Sequence, residues 1–216
     1  METRDVEIAA AGAQLRAIVS LPATPLGLVF FAHGSGSSRF STRNQQVAAV
    51  LQGGGLATVL LDLLTPREAV IDERTREYRF DIELLARRLD GATTAAPALV
   101  RGALPPLGYF GASTGAAAAL IAAAVRTDVR AVVSRGGRPD LAAGVLARVH
   151  AAVLLIVGGN DPEVLRLNQS AQRQLAGKSD LLVVPGATHL FEEPGTLGVA
   201  AQAACDWFLR HLAGGS

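Results

Sequence analysis

Apolar positions along this chain follow two rhythms. Short unbroken runs alternate with segments where apolar residues recur every three or four positions. A strand buried on both faces gives an unbroken run, while a helix against a core gives a 3.6-residue period. The runs at 27–34 (GLVFFAHG), 56–64 (LATVLLDLL), 105–113 (PPLGYFGAS), 129–137 (VRAVVSRGG), 151–161 (AAVLLIVGGND) and 180–189 (DLLVVPGATH) predict strands. Between them, helices are predicted near 44–52, 80–93, 114–125, 139–148, 163–175 and 196–212. Segments 6–10 and 15–22 flank Gly12 and predict an N-terminal β-hairpin. The polar stretch 65–79 carries no clear period and reads as a small cover or a solvated loop.

Alternating strands and helices imply an α/β fold: a mostly parallel, twisted sheet of about eight strands with helices on both faces. No internal repeat or linker interrupts the pattern, so one domain over residues 1–216 is expected, with only a short AGGS tail. A chain of 216 residues leaves no room for a large lid domain beside such a core. Half the residues are hydrophobic and 18% are charged, which excludes a disordered chain. No apolar run reaches the length of roughly 18 residues needed to span a bilayer. The start METRDVEIAA lacks a signal-peptide pattern, so a soluble, cytoplasmic protein is expected, without membrane partners. The single cysteine, Cys205, excludes an internal disulfide framework or multi-cysteine metal site and reads as packing in the last helix. Twenty bases against 19 acids give no electrostatic footprint for nucleic acid. The hairpin and outer helices offer surfaces for a homodimer, although no exposed apolar stripe singles one out.

Ligands of such sheets bind beyond the carboxyl ends of the strands, so the residues found there carry the chemistry. Residues 111–115 (GASTG) match G-x-S-x-G between a strand and a helix. This is the pattern of a nucleophile elbow centred on Ser113. A serine hydroxyl needs a base, and the base an orienting acid. Asp161 and His189 end the last two apolar runs, giving the chain order Ser, Asp, His. Asp161 could instead only cap the next helix, and Asp140 is the second-ranked acid. His33, His150 and His211 are weaker bases by position. An oxyanion hole requires two N–H donors aimed at developing charge. Thr114, after the nucleophile, and Ser35, in the loop HGSGSS (33–38), are the candidates. Arg39 and Arg135 stand at strand ends beside this set and are candidates to bind an acidic substrate group, unless acids at the rim pair with them. The Gly34-x-Gly36 pair is a poor dinucleotide fingerprint, because Arg39 stands where the third glycine would be.

HGSGSS (33–38), GASTG (111–115), GGND (158–161) and GATH (186–189) together resemble the α/β-hydrolase superfamily, in its dienelactone hydrolase-like branch. The resemblance covers essentially the whole chain. It implies an eight-stranded sheet, a Ser-His-Asp triad, and no cofactor or metal. One departure matters: family members that cleave dienelactones use a cysteine nucleophile, and Ser113 stands here instead. The implied activity is therefore hydrolysis of carboxylic esters of small, soluble molecules. An acyltransferase or perhydrolase on the same triad, or a non-catalytic domain of this fold, are the alternatives.

Overall fold

The computed structural model describes residues 1–213; the end of the AGGS tail lies outside them. The hairpin comes first, as β1 (Glu2–Ala10) and β2 (Ala13–Leu21). Ala11 and Gly12 both take positive φ, 48° and 76°, at its two-residue turn, as a turn matched to strand twist requires. Then follow β3 (Leu28–Ala32), α1 (Thr42–Gly53), β4 (Ala57–Leu61), α2 (Pro66–Thr75), α3 (Ile82–Thr94), the short α4 (Ala96–Leu99) and β5 (Leu107–Ala112). The second half runs α5 (Thr114–Val125), β6 (Val129–Arg135), a 3-10 segment Pro139–Arg148, β7 (Ala152–Gly158), α6 (Pro162–Gln172), β8 (Ser179–Val184) and α7 (Thr196–Phe208).

The eight strands form one sheet in the order β1-β2-β4-β3-β5-β6-β7-β8. β2 pairs antiparallel with β1 and β4, and the remaining pairs are parallel. Strand side chains alternate between faces, so an unbroken apolar run feeds two cores. In β3, Leu28, Phe30 and Ala32 join the core beneath α3 and α5. Val29 and Phe31 join the core beneath α1 and α7. This double burial explains why the central strands read as continuous apolar runs.

Besides the unpredicted short helix α4, two segments differ from the pattern-based expectation. Residues 66–75 form a helix, because Thr65 and Glu68 make a reciprocal capping box with Pro66 in the first turn. The segment Pro139–Arg148 winds as a 3-10 helix. It is held at its entry by the Arg138 N–H on the Ser113 carbonyl (3.2 Å) and buries Pro139, Ala142 and Leu146. Among the described residues no helix is long and apolar enough to cross a membrane.

Candidate active site

The segments that follow β5, β7 and β8 meet at one place. β5 stops at Ala112 and the chain bends straight into α5, with Ser113 at the bend. Ser113 has φ 52° and ψ −120°, a conformation that persists only where its surroundings over-determine it. They do so here. The Ser113 N–H donates to the Arg135 carbonyl (3.2 Å), and the Ser113 carbonyl accepts from Ala116 (3.1 Å) and Arg138 (3.2 Å). The flanking glycines have a steric cause. A Cβ at 111 would overlap the backbone of Ala116, and one at 115 would overlap the carbonyls of Ala32 and His33.

Asp161 precedes α6, yet its side chain makes no capping bond to that helix. Its Oδ2 lies 2.7 Å from His189 Nδ1. Nε2 of the same imidazole lies 3.3 Å from Ser113 Oγ. With Nδ1–H given to the carboxylate, Nε2 is left as the lone-pair nitrogen facing the hydroxyl. The loop carrying His189 is braced from behind. Glu193 accepts the Thr188 N–H (3.0 Å) and hydroxyl (2.6 Å), and these bonds hold its carboxyl below the usual range.

The rival residues are engaged elsewhere. Both Asp140 oxygens accept from Arg138, at 2.9 and 2.7 Å. His33 is buried, accepting the Leu63 N–H at Nε2 (3.1 Å) and lying 2.9 Å from the Gly34 carbonyl at Nδ1. Burial pushes this imidazole down, so it stays neutral and braces the loop after β3. His211 lies against Trp207 in the C-terminal segment.

The loop Gly34–Ser41 comes down beside Ser113, with Gly34 packed on the Ala112 carbonyl. Ser35 Oγ and Thr114 Oγ1 are 2.9 Å apart, which ties this loop to the first turn of α5. Among the described residues, neither the Ser35 nor the Thr114 backbone N–H donates a hydrogen bond to the protein. The positive end of α5 adds to the field of those donors.

The two candidate arginines part ways. Arg39 donates to Asp62 from its guanidinium, and its backbone N–H also reaches Asp62, at 2.6 Å. A second carboxylate, Asp5, lies 3.7 Å from its Nε. Its charge is therefore neutralised within the protein, and its side chain lines a cavity of about 550 Å³ on the far side of the loop. Arg135 lines the smaller cleft, about 260 Å³, that also contains Ser113 and His189. The only hydrogen bond of its guanidinium among the described residues is to Asn44 Oδ1, at 3.4 Å. Asn44 is a site residue that the sequence reading missed. It stands in α1 where a polar residue reads as surface, and it is buried.

No family model matches the chain. Two Mycobacterium tuberculosis proteins that carry a phosphoribosyl transferase name are 57% identical over 215 residues, which is 99% of this chain. The chain spans about half the length of these curated relatives, 48%. The crystal structure of a dienelactone hydrolase from Anabaena variabilis is 52% identical, with a TM-score of 0.94 and 98% of each chain covered. The Pyrococcus furiosus esterase Pf2001 shares the fold at 15% identity, with a TM-score of 0.79 over 98% of this chain and 93% of its own. A relative 52% identical from end to end, carrying the same fold, places this chain in the dienelactone hydrolase-like family of the α/β-hydrolases.

Proposed function

We propose that the chain is a serine hydrolase that cleaves carboxylic esters of small molecules through an acyl-enzyme. The observation that carries this reading is the hydrogen-bonded line from Asp161 through His189 to Ser113, with Ser113 held at φ 52°. Esterase and dienelactone hydrolase names among the structural neighbours support it.

In this mechanism Ser113 Oγ attacks the ester carbonyl while His189 Nε2 takes its proton. Asp161 fixes the ring so that Nε2 faces the serine, and it stabilises the imidazolium as it forms. Charge develops on the carbonyl oxygen, where the Ser35 and Thr114 N–H groups are free to donate. His189 then gives its proton to the departing alkoxide. In the second half, water enters, loses a proton to His189 and releases the acid. The His189 side chain is 38% exposed, so water reaches the base without a gate.

Ser113→Ala removes the bond-forming atom. Its turnover of p-nitrophenyl acetate is expected to fall by about three to four orders of magnitude. A fluorophosphonate probe should label the wild type at Ser113 and leave the variant unlabelled. Undiminished hydrolysis by Ser113→Ala would sink this reading.

A further inference from the structure

The loop after β3 carries one of the two oxyanion donors, and little packs against it. Ser35, Gly36 and Ser37 are exposed. Gly34, Ser35, Ser37 and Ser41 line the cleft of about 260 Å³ that holds Ser113, and they also line the cavity of about 550 Å³ on the other side. A segment hollow on both faces gains little position from packing, so its hydrogen bonds have to supply it. The other donor, Thr114, stands in the first turn of α5, a separate element. Two donors on separate elements stabilise a developing charge only if the gap between those elements is held constant.

Ser35 carries the bond that spans this gap. Its Oγ lies 2.9 Å from Thr114 Oγ1 and 3.4 Å from the Arg79 carbonyl. A carbonyl only accepts, and a hydroxyl has one proton to give. Ser35 therefore donates to Arg79 and accepts from Thr114, and the three groups form one directed chain. The Thr114 end is fixed, because that residue is buried in α5. The Arg79 end is fixed by a carboxylate. Asp72, 2% exposed, accepts the Arg79 N–H at 2.9 Å and its Nε–H at 2.6 Å, and the Asp72 carbonyl takes Nη2 at 3.0 Å. The same guanidinium bears on the loop: a Cβ at Gly36, whose φ is 69°, would stand 3.0 Å from Arg79 Nη1.

We propose that the Ser35 and Thr114 hydroxyls, with Arg79 and Asp72 behind them, are positioning groups that hold the two oxyanion N–H donors at a fixed separation. This rests on the serine hydrolase reading and adds side chains to a hole otherwise built of backbone. None of these groups needs to touch the substrate. A loop free to drift keeps its N–H groups but no longer aims both at one point. The loss falls on the transition state, where the charge is on the carbonyl oxygen, so kcat drops while KM holds.

The experiment is a double-mutant cycle on p-nitrophenyl acetate hydrolysis. Ser35→Ala is expected to lower kcat about tenfold and to leave KM within about twofold of wild type. Thr114→Val, which keeps the shape and removes the hydroxyl, should do the same, and Thr114→Ser, which keeps the hydroxyl, should retain most of the wild-type kcat. Both losses come from cutting one bond, so the double variant should be no slower than Ser35→Ala alone, whereas independent losses would multiply to about a hundredfold. Asp72 lies outside the cleft that holds Ser113, yet Asp72→Asn should also lower kcat at constant KM. An unchanged kcat there overturns the part given to Arg79 and Asp72. Rates are taken per folded molecule, from urea curves of each variant, since a merely structural role lowers the midpoint and leaves kcat intact. An unchanged kcat in Ser35→Ala, losses that multiply, or a loss confined to KM overturns the proposal. Should Ser35→Ala not fold, the contrast between Thr114→Val and Thr114→Ser decides the matter, and equal rates in those two overturn it. Fluorophosphonate labelling separates this role from the hydrolase reading. Wild type labelled at Ser113, with kcat unmoved in Ser35→Ala, ends the positioning role alone, and wild type that is neither labelled nor active ends both.

Discussion

At Arg135 the fold keeps a cation out of water with one long hydrogen bond to its guanidinium. An isolated charge kept out of water weakens the fold, and sites built for ligands often sit below the stability their sequence could reach. Arg135→Met keeps an unbranched apolar stem toward Phe110 and Phe191 but removes the guanidinium that lies near both rings, and with it the charge. It is expected to raise the free energy of unfolding by about 1 kcal/mol or more. Urea denaturation at neutral pH checks this, and a variant less stable than the wild type would mean that Arg135 supports the fold. The residues of the proposed triad stood out in the sequence, because each lies just beyond the end of an apolar strand and their chain order suits the fold. The partner of Arg39 was not legible. Asp62 stands 23 residues away and meets Arg39 only because β4 pairs beside β3. Asn44 was invisible for a related reason: its burial depends on what packs over α1.

Among the elements, α2 was the hardest to read and the easiest to explain afterwards. Its sequence has no apolar face, and Asp72 is its one buried residue among those described. What holds it is ionic. Asp72 accepts the Tyr78 and Arg79 N–H groups at 2.9 Å each, and the Arg79 guanidinium at 2.6 Å. Glu68 caps the helix and reaches Arg88 in α3 at 2.5 Å. The local signal was present all the same, since Thr65-Pro66-Arg67-Glu68 is a capping box with proline in the first turn. Burial pushes the Asp72 carboxyl up, but the bonds from Arg79 and Tyr78 outweigh it and hold the carboxyl below the usual range. A folded value below the unfolded one gives stability that is present above the unfolded pKa of about 3.9 and lost as pH falls through the folded value. Asp72→Asn leaves Arg79 without its partner and is expected to cost about 3 kcal/mol at pH 7. The deficit relative to wild type should shrink toward pH 3. Urea midpoints at the two pH values test both parts, and an equal deficit at each would contradict the ionic account.

For the molecule as a whole, two cores on either side of one sheet set the framework. The site lies where the strands and the loop after β3 run out. That loop is fixed from inside by His33, which is buried and neutral with both ring nitrogens engaged. Unfolding releases an imidazole whose pKa is about 6.5, so below that value the unfolded chain binds a proton that the folded chain refuses. Stability therefore falls as pH drops from 7 to 5, with a slope of up to about 1.4 kcal/mol per pH unit from this group. His211, also pushed down by burial, acts in the same direction. Chemical denaturation at pH 7 and pH 5 reads the slope, and a protein equally stable at both would contradict a neutral, buried His33. The sequence by itself determined the order of the strands and of the longer helices packed on them, the elbow at Ser113 and the positions of Asp161 and His189 along the chain. These follow from side-chain periodicity and from chain order, which are local properties. Tertiary structure alone decided which charges are paired. It joined Arg39 to Asp62, bound α2 through Asp72, and left Arg135 beside Ser113 without an acid among the described residues. Electrostatic partners are set by proximity in space and by the loss of water around them, and no one-dimensional pattern records either.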